Sequence, residues 1–324
     1  MGRTSLSIVI VNYNTEALLR SCLESVYAGA DGTTTDIWVV DNHSCDNSVS
    51  MLRSSFPFVN VIANSENVGF SRANNAAISQ GRSDYILLLN PDTLVIDDAI
   101  ERMVTFLDEH PKVGIAGCKV LNRDGTLQLA CRRSIPTPKV AFYRLTGLSR
   151  LFPQSKLIAK YNMTYESPDR MHEVDAVSGA FLMIRRKVVE EIGLLDERFF
   201  MYGEELDWCL RAKRAGWTVA YHPEARIIHY KGESTKYNSR KAAFEFYRAM
   251  YLFHRKHFAK DCSHAVNGLI YAGIFVKALL SWRRFLPRLG QRSDIRHSKS
   301  DTIPQDRNSE SQTDRPTGEP ASVA

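Results

Sequence analysis

The run Tyr85-Ile86-Leu87-Leu88-Leu89 stops abruptly on Asn90-Pro91-Asp92. No polar residue alternates within it. A strand that is apolar on every side must be covered on both faces, the habit of parallel sheets flanked by helices. The pattern recurs at 6–11, 36–41, 60–64 and 113–121. Stretches of helical spacing fall between these runs: 15–29, with Leu18, Leu19, Cys22, Leu23, Val26 and Tyr27 on one side and Gly29 at its end, then 70–80 and 98–109. Strands alternating with short helices predict an α/β chain with a doubly wound, mostly parallel central sheet. Ligands of such sheets bind beyond the carboxyl ends of the strands, so Asp92 stands where a site is expected. Asn-Pro and Asp are also good turn residues, and the tripeptide alone leaves both readings open.

The pattern loosens over 122–172, an insertion or mobile region, and order returns at 173–186. A helix is expected from 204 to Gly216, then short strands at 218–222 and 225–230. A polar and aromatic helix over 239–258 leads to the apolar segment 265–282. After Gly290 hardly an apolar residue remains, and disorder is expected. This divides the chain into a catalytic or binding domain at 1–236, a helical extension at 237–289 and a tail at 290–324.

With 324 residues and 44% hydrophobic content the chain can bury a full core. Its formal charge of +6 is uneven: Arg283, Arg284, Arg288, Arg292, Arg296 and Lys299 crowd one segment, and the near-neutral body argues against a nucleic-acid partner. Cys22, Cys45, Cys118, Cys131, Cys209 and Cys262 form no C-x-x-C pair. They read as reduced thiols, and the N-terminus enters a strand at once without a secretory pattern, so a cytoplasmic protein is expected.

Four polar clusters fall after strands or at helix starts. Asp41, closing the second strand, can accept the imide N–H of uracil or thymine, or can cap a turn. Gly69 permits a tight turn into a helix whose N-terminal N–H groups could face a diphosphate. Asn90 and Asp92 offer a partial oxygen cage for Mg²⁺ or Mn²⁺, completed by nucleotide phosphates. Glu204, Glu205 and Asp207 open a helix, where carboxylates also suit the dipole. The turn after the first strand has no G-x-G-x-x-G, which disfavours a nucleotide-binding oxidoreductase. A non-catalytic binding module is a further alternative.

Taken in order, "SIVIVNYN", "VVDNHSCDNS", "ENVGFSRANN", "LLLNPDT", Ser178-Gly179-Ala180, "FMYGEELDWCLR" and "IIHYKGEST" resemble the family-2 glycosyltransferases of the GT-A fold, in their bacterial rhamnosyltransferase-like branch. The resemblance runs from Ser5 to Lys236. It implies a nucleotide-sugar site in which Asp41 holds the base, Asn67 and Gly69 border the nucleotide and sugar, and Asp92 ligates a divalent metal. His229 would be a further metal ligand, although a lone His beside Tyr230 could equally be a packing residue. Glu205 would be the catalytic base, with Glu204 and Asp207 orienting the acceptor or capping the helix. The family usually has Glu-Asp where this chain has Glu204-Glu205, so the base carries an extra methylene. The implied reaction is inverting transfer, with dTDP-rhamnose favoured as donor and a UDP-sugar as runner-up. The acceptor would be a saccharide, free or polyprenyl-linked, in cell-surface polysaccharide synthesis. The segment 265–282, near the lower limit of spanning length and carrying Lys277 and Asn267, suits a helix lying on an anionic membrane surface at the inner face. Packing on the protein's own core is the alternative.

Overall fold

The computed structural model describes residues 5–29, 35–230 and 239–282; the expected tail at 290–324 and the "KGEST" end of the last motif lie outside them. The first half alternates as expected: β1 (Leu6–Asn12), α1 (Glu16–Gly29), β2 (Thr35–Asp41), α2 (Ser48–Ser55), β3 (Asn60–Ala63), α3 (Phe70–Gln80) and β4 (Tyr85–Leu89). Every residue of β1 and β4 is buried, which is why both read as unbroken apolar runs. Burying one such Leu or Ile side chain contributes about 1.5–3 kcal/mol, so these two strands anchor the core. Next come β5 (Thr93–Ile96), α4 (Ala99–Glu109), β6 (Val113–Leu121), β7 (Arg132–Arg133), α5 (Pro138–Leu145) and α6 (Leu148–Leu151). The described chain closes with β8 (His172–Glu173), β9 (Ala176–Val177), β10 (Phe181–Arg185), α7 (Arg186–Ile192), α8 (Glu204–Arg214), β11 (Thr218–His229), α9 (Ser239–His257) and α10 (His264–Trp282).

The main sheet has nine described strands in the order β3-β2-β1-β4-β10-β6-β11-β5, with β8 on the side of β11. Six of the nine point the same way; β10, β5 and β8 run against them. The register aligns Asn12 with Asp41 at the carboxyl ends of β1 and β2, and Thr93 with His229 across β5 and β11. Chemistry from distant parts of the chain is thereby gathered along one edge.

Three local features differ from the sequence expectation. The two short strands over 218–230 are one strand, β11, whose register shifts between His222 and Arg226; Pro223 lacks the N–H to continue the ladder, and the strand bulges around it. The loose stretch 122–172 contains α5, started by Pro138 behind a Thr137 side-chain cap, and α6. Asn267 and Lys277, read as groups for a membrane interface, turn inward: Asn267 accepts from His254 Nε2 (2.7 Å) and donates to the Ala259 carbonyl (2.8 Å), while Lys277 Nζ donates to the Leu145 carbonyl (2.8 Å). The rest of α10 stays out of the core, with none of its side chains buried.

Candidate active site

The first corner of the site forms where β1 and β2 end side by side. Asp41 is 1% exposed. Its Oδ2 accepts from Asn12 Nδ2 (2.8 Å) and its Oδ1 from the Ser44 N–H (2.9 Å), while Thr15 donates to Asn12 Oδ1 (2.7 Å) and fixes the amide. Next to it, Asn42 accepts from Asn64 Nδ2 (2.9 Å) and donates to the Gly69 carbonyl (3.1 Å). Asn67 Oδ1 accepts from the Gly69 N–H (3.1 Å). Gly69 is needed twice over: its φ is +88°, and a Cβ there would lie 2.7 Å from both the Phe200 ring and the Phe200 carbonyl oxygen. The Phe70 N–H and Ser71 hydroxyl donate to the carbonyls of Phe200 and Phe199, both at 2.6 Å. The loop bearing Asn67 and Gly69 is thus sewn to the loop that precedes α8.

Asp92 and His229 face each other at the second corner, Oδ1 to Nε2 at 3.2 Å, 4% and 9% exposed. Gln128 decides which ring nitrogen is available. Its Nε2 donates to the His229 carbonyl (2.7 Å), so its Oε1 must be the atom 3.0 Å from His229 Nδ1, and Nδ1 carries the hydrogen. Nε2 is left to face the Asp92 carboxylate. Asn90 turns its amide nitrogen, not the expected oxygen, towards that Nε2 at 3.3 Å. Two lone-pair-bearing atoms pointed at each other attract only with a proton or a cation between them. A hard carboxylate oxygen beside an imidazole nitrogen held from behind by a hydrogen bond is a donor set that suits Mn²⁺ or Mg²⁺. Among the described residues no group of three or more His, Cys, Asp and Glu side chains forms a fuller cage, so nucleotide phosphates would supply the remaining ligands.

The third corner is the start of α8, reached through Tyr202 and Gly203, both left-handed (φ +72° and +85°). A tyrosine in this region is strained by about 1–2 kcal/mol. Three acids follow, with three different environments. Glu205 Oε1 meets Arg133 Nη2 at 2.6 Å and its Oε2 accepts from the Gly203 N–H (3.0 Å). Burial alone would weaken the Arg133 charge, but the Glu205 carboxylate and Tyr161 hold it above its ordinary value. Glu204 is buried, its Oε2 has no hydrogen-bond partner among the described residues, and burial, reinforced by the Glu205 charge, pushes its carboxyl well above the usual carboxylate range. Asp207 is fully buried between two cations and a ring N–H: Lys256 Nζ (2.5 Å), Arg211 Nε (2.8 Å) and His257 Nε2 (2.7 Å), whose Nδ1 accepts from Arg214 Nη1 at 2.9 Å. Burial raises its carboxyl, and the bonds to His257 and Lys256 outweigh that and hold it low. Asp207 therefore ties α8 to α9, a different task from capping the helix or reaching an acceptor. The segment Ser178–Ala180 joins the corners: a Cβ on Gly179 would lie 3.8 Å from Glu205 Cβ, and the Ala180 carbonyl accepts from the Asn90 N–H (3.1 Å).

Comparison with known proteins decides the family. Residues 3–247 match the model described as "Glycosyltransferase like family 2". The chain belongs to glycosyltransferase family 2. It is 24% identical over 259 residues to the N-acetylglucosaminyl-diphospho-decaprenol L-rhamnosyltransferase of Mycobacterium tuberculosis, covering 76% of this chain and 83% of that one. It is 29% identical over 263 residues to a low-salt glycan biosynthesis hexosyltransferase of Haloferax volcanii, covering 79% and 77%. Among solved structures, a mannosyltransferase from Pyrobaculum calidifontis in complex with GDP-Man and Mn²⁺ superposes with a TM-score of 0.56 at 14% identity, over 87% of this chain and 76% of that one. The fold is GT-A.

Three residues of this glycosyltransferase's site had no signal of their own in the sequence. Asn12 lies in the "VNYN" end of β1, Gln128 and Arg133 in the stretch that read as an insertion. Their roles come from long-range register: Gln128 reaches His229 across 101 positions and Arg133 reaches Glu205 across 72. An arginine pair, Arg132-Arg133, in a segment with few acids was the available hint.

Proposed function

We propose that this glycosyltransferase moves a sugar with inversion from a pyrimidine nucleotide-diphosphate donor, dTDP-rhamnose foremost, to a saccharide carried on a polyprenyl diphosphate, in cell-surface polysaccharide synthesis. The observation that carries the reading is the Asp92–His229 pair, with Nε2 kept without a hydrogen by Gln128. Asp41, fixed by neutral donors, would accept the imide N–H of the pyrimidine. Asn67 and Gly69 would border the diphosphate and sugar. Asp92 and His229 would hold a divalent cation, which supplies charge neutralisation for the departing diphosphate.

In the transfer, the acceptor hydroxyl oxygen forms a bond to the anomeric carbon as the bond from that carbon to the diphosphate oxygen breaks on the opposite face. The diphosphate leaves with the electron pair, and Glu205 takes the hydroxyl proton. Arg133 and the Gly203 N–H hold Glu205 in place. The M. tuberculosis relative, named for L-rhamnosyl transfer to a decaprenol-linked acceptor, supports the donor and acceptor classes. A UDP-sugar donor is the second reading, favoured by the fact that a carboxylate at Asp41 suits uracil and thymine alike. Placement on the inner face of the cell membrane is part of the proposal, supported by the exposed apolar α10.

Thermal shift with a panel of nucleotide sugars, with and without Mn²⁺, tests the donor: a ligand at 100 times its Kd stabilises by about 2.7 kcal/mol. Metal-dependent stabilisation by dTDP-rhamnose is expected, lost in Asp92→Asn while the fold persists. Stabilisation by UDP-sugars alone selects the second reading. Near-normal transfer with unchanged metal dependence in Asp92→Asn overturns the metal assignment.

A further inference from the structure

Helices α9 and α10 do not close on each other along their length. Between them runs an open groove of about 330 Å³, within the range of small-ligand sites, about 300–1,000 Å³. Phe244, Tyr247, Tyr251, Tyr271, Phe275 and Trp282 line it, with Ala243 and Ala278 leaving room in the wall, and Arg248 is the one charged group among its lining residues. Arg248 is itself paired with Glu245 at 2.9 Å. The helices that frame the groove are fixed to each other where the Tyr251 and Tyr271 rings meet at 5.0 Å and His254 bonds Asn267, and α10 is also tied to α5 through Lys277 and the Leu145 carbonyl. Phe244 and Phe275 are 57% and 67% exposed, a cost that an aqueous surface does not repay.

Ring contacts link the helix that walls the groove to the transfer corner. Phe246 lies edge-on to Tyr202 at 5.7 Å, and its ring meets Tyr247 in the groove wall at 5.4 Å. Tyr202 is the strained residue before Glu204 and Glu205, and burial and then their charges raise its phenol. Ala249, on the same helix, packs where a Cβ on Gly203 would lie, 3.5 Å away. Aromatic contacts therefore lead from the loop before Glu205 to a trough walled mostly by ring and aliphatic carbon, with no acid among its described lining residues. A flexible unsaturated hydrocarbon attached to a reacting group fits that arrangement.

We propose that the groove between α9 and α10 takes the head-proximal isoprenoid units of a polyprenyl-diphosphate-linked acceptor, guiding its sugar to Glu205. This rests on the acceptor class proposed above. The acceptor chain lies against aromatic faces there, and Trp282 stands at the far end of the lining.

The test compares two acceptors in detergent micelles with the full-length protein: N-acetylglucosaminyl diphosphate on a long polyprenyl chain, and the same head group on a short alkyl chain. The wild type is expected to show a KM lower by about tenfold or more for the long chain, the effect of burying roughly two methylenes. Ala278→Trp, which fills the groove, and Phe275→Ser, which removes an exposed wall, should each erase that ratio while kcat and the short-chain KM stay unchanged. Equal KM values for the two acceptors in the wild type, or a ratio untouched by both variants, overturn the groove alone. Failure of the wild type to transfer to either acceptor overturns the acceptor class and the groove with it. Variants that leave the KM ratio intact but weaken binding to acceptor-free anionic vesicles, or weaken self-association, reassign the face to the bilayer or to a second copy and also overturn the proposal.

Discussion

Two corners of the site solve the same problem, a buried carboxylate, in opposite ways. Asp41 at the end of β2 is surrounded by neutral donors, an asparagine amide and a backbone N–H. At the start of α8 the carboxylates are placed among full charges: Arg133 on Glu205, and Lys256 and Arg211 on Asp207, with the His257 ring N–H beside them. Neutral donors orient a carboxylate while leaving its charge uncompensated, which suits a group that must recognise a ligand N–H. Cationic partners fix the protonation state, which suits a region where protons move. The acid left out of both schemes, Glu204, is the one pushed towards neutrality. Helix geometry contributes to this sorting, since successive residues of α8 diverge by about 100° and reach different neighbours.

The largest expected effect separates the corners by function. Glu205→Gln keeps size and hydrogen bonding but cannot accept a proton, and single-turnover rates should fall by about 10² to 10⁴ with donor affinity unchanged. Normal turnover in this variant, with a dead Glu204→Gln, would move the base to the neighbour. Next, Asp207→Asn leaves Lys256 and Arg211 facing a neutral amide and should cost about 3 kcal/mol in urea unfolding. Because the Asp207 carboxyl is held low in the folded state, its contribution is present above the unfolded value of about 3.9 and is lost as pH falls through the folded value. The variant should therefore flatten the acid limb of the stability curve; an unchanged limb would break the contrast between the corners. Smaller again, Asp41→Asn turns one acceptor into a donor facing Asn12 Nδ2 or the Ser44 N–H. Donor affinity should weaken by about 1–3 kcal/mol, read as KM for the nucleotide sugar, with kcat at saturation little changed. A fall in kcat instead would assign Asp41 to the transfer step.

The alternating half of the fold was legible because β1 and β4 are buried on both faces and so carry no polar interruption. The position of Asp92 was legible for the same reason: it follows such a strand, at the edge of the sheet where ligands of this fold class bind. What escaped was short, or stabilised from far away. β7, β8 and β9 have two residues each, too few for any periodicity, and α5 and α6 sit in a segment whose turn residues dominate its pattern. The partners of the site residues escaped because contact across 72 or 101 positions leaves no local trace. Asn267 and Lys277, read as polar groups of a membrane-surface helix, each donate to a carbonyl of the chain, partners no local pattern shows. The acids of α8 were found together by their helical start, and only their separate partners tell them apart.

Glu204→Gln sharpens the contrast with the smallest change. An unfolded glutamate titrates near 4.3, and in the folded chain burial, then the Glu205 charge, raises that value well above it. Between the two, the folded chain holds a proton that the unfolded chain has released, so this group favours folding fully below about 4.3 and its contribution is lost as pH rises towards the folded value. The slope cannot exceed that of one proton, about 1.4 kcal/mol per pH unit. Glutamine matches the protonated acid in shape and never ionises, so the variant should remove this downward slope, leave the stability at low pH nearly unchanged and raise it at neutral pH. Turnover should stay close to wild type, because the proton from the acceptor goes to Glu205. Urea unfolding across the pH range, set beside single-turnover rates, reads both quantities. If stability keeps the wild-type slope while turnover collapses, Glu204 is ionised in the working enzyme and shares the task of the base, and the division of labour along α8 is wrong.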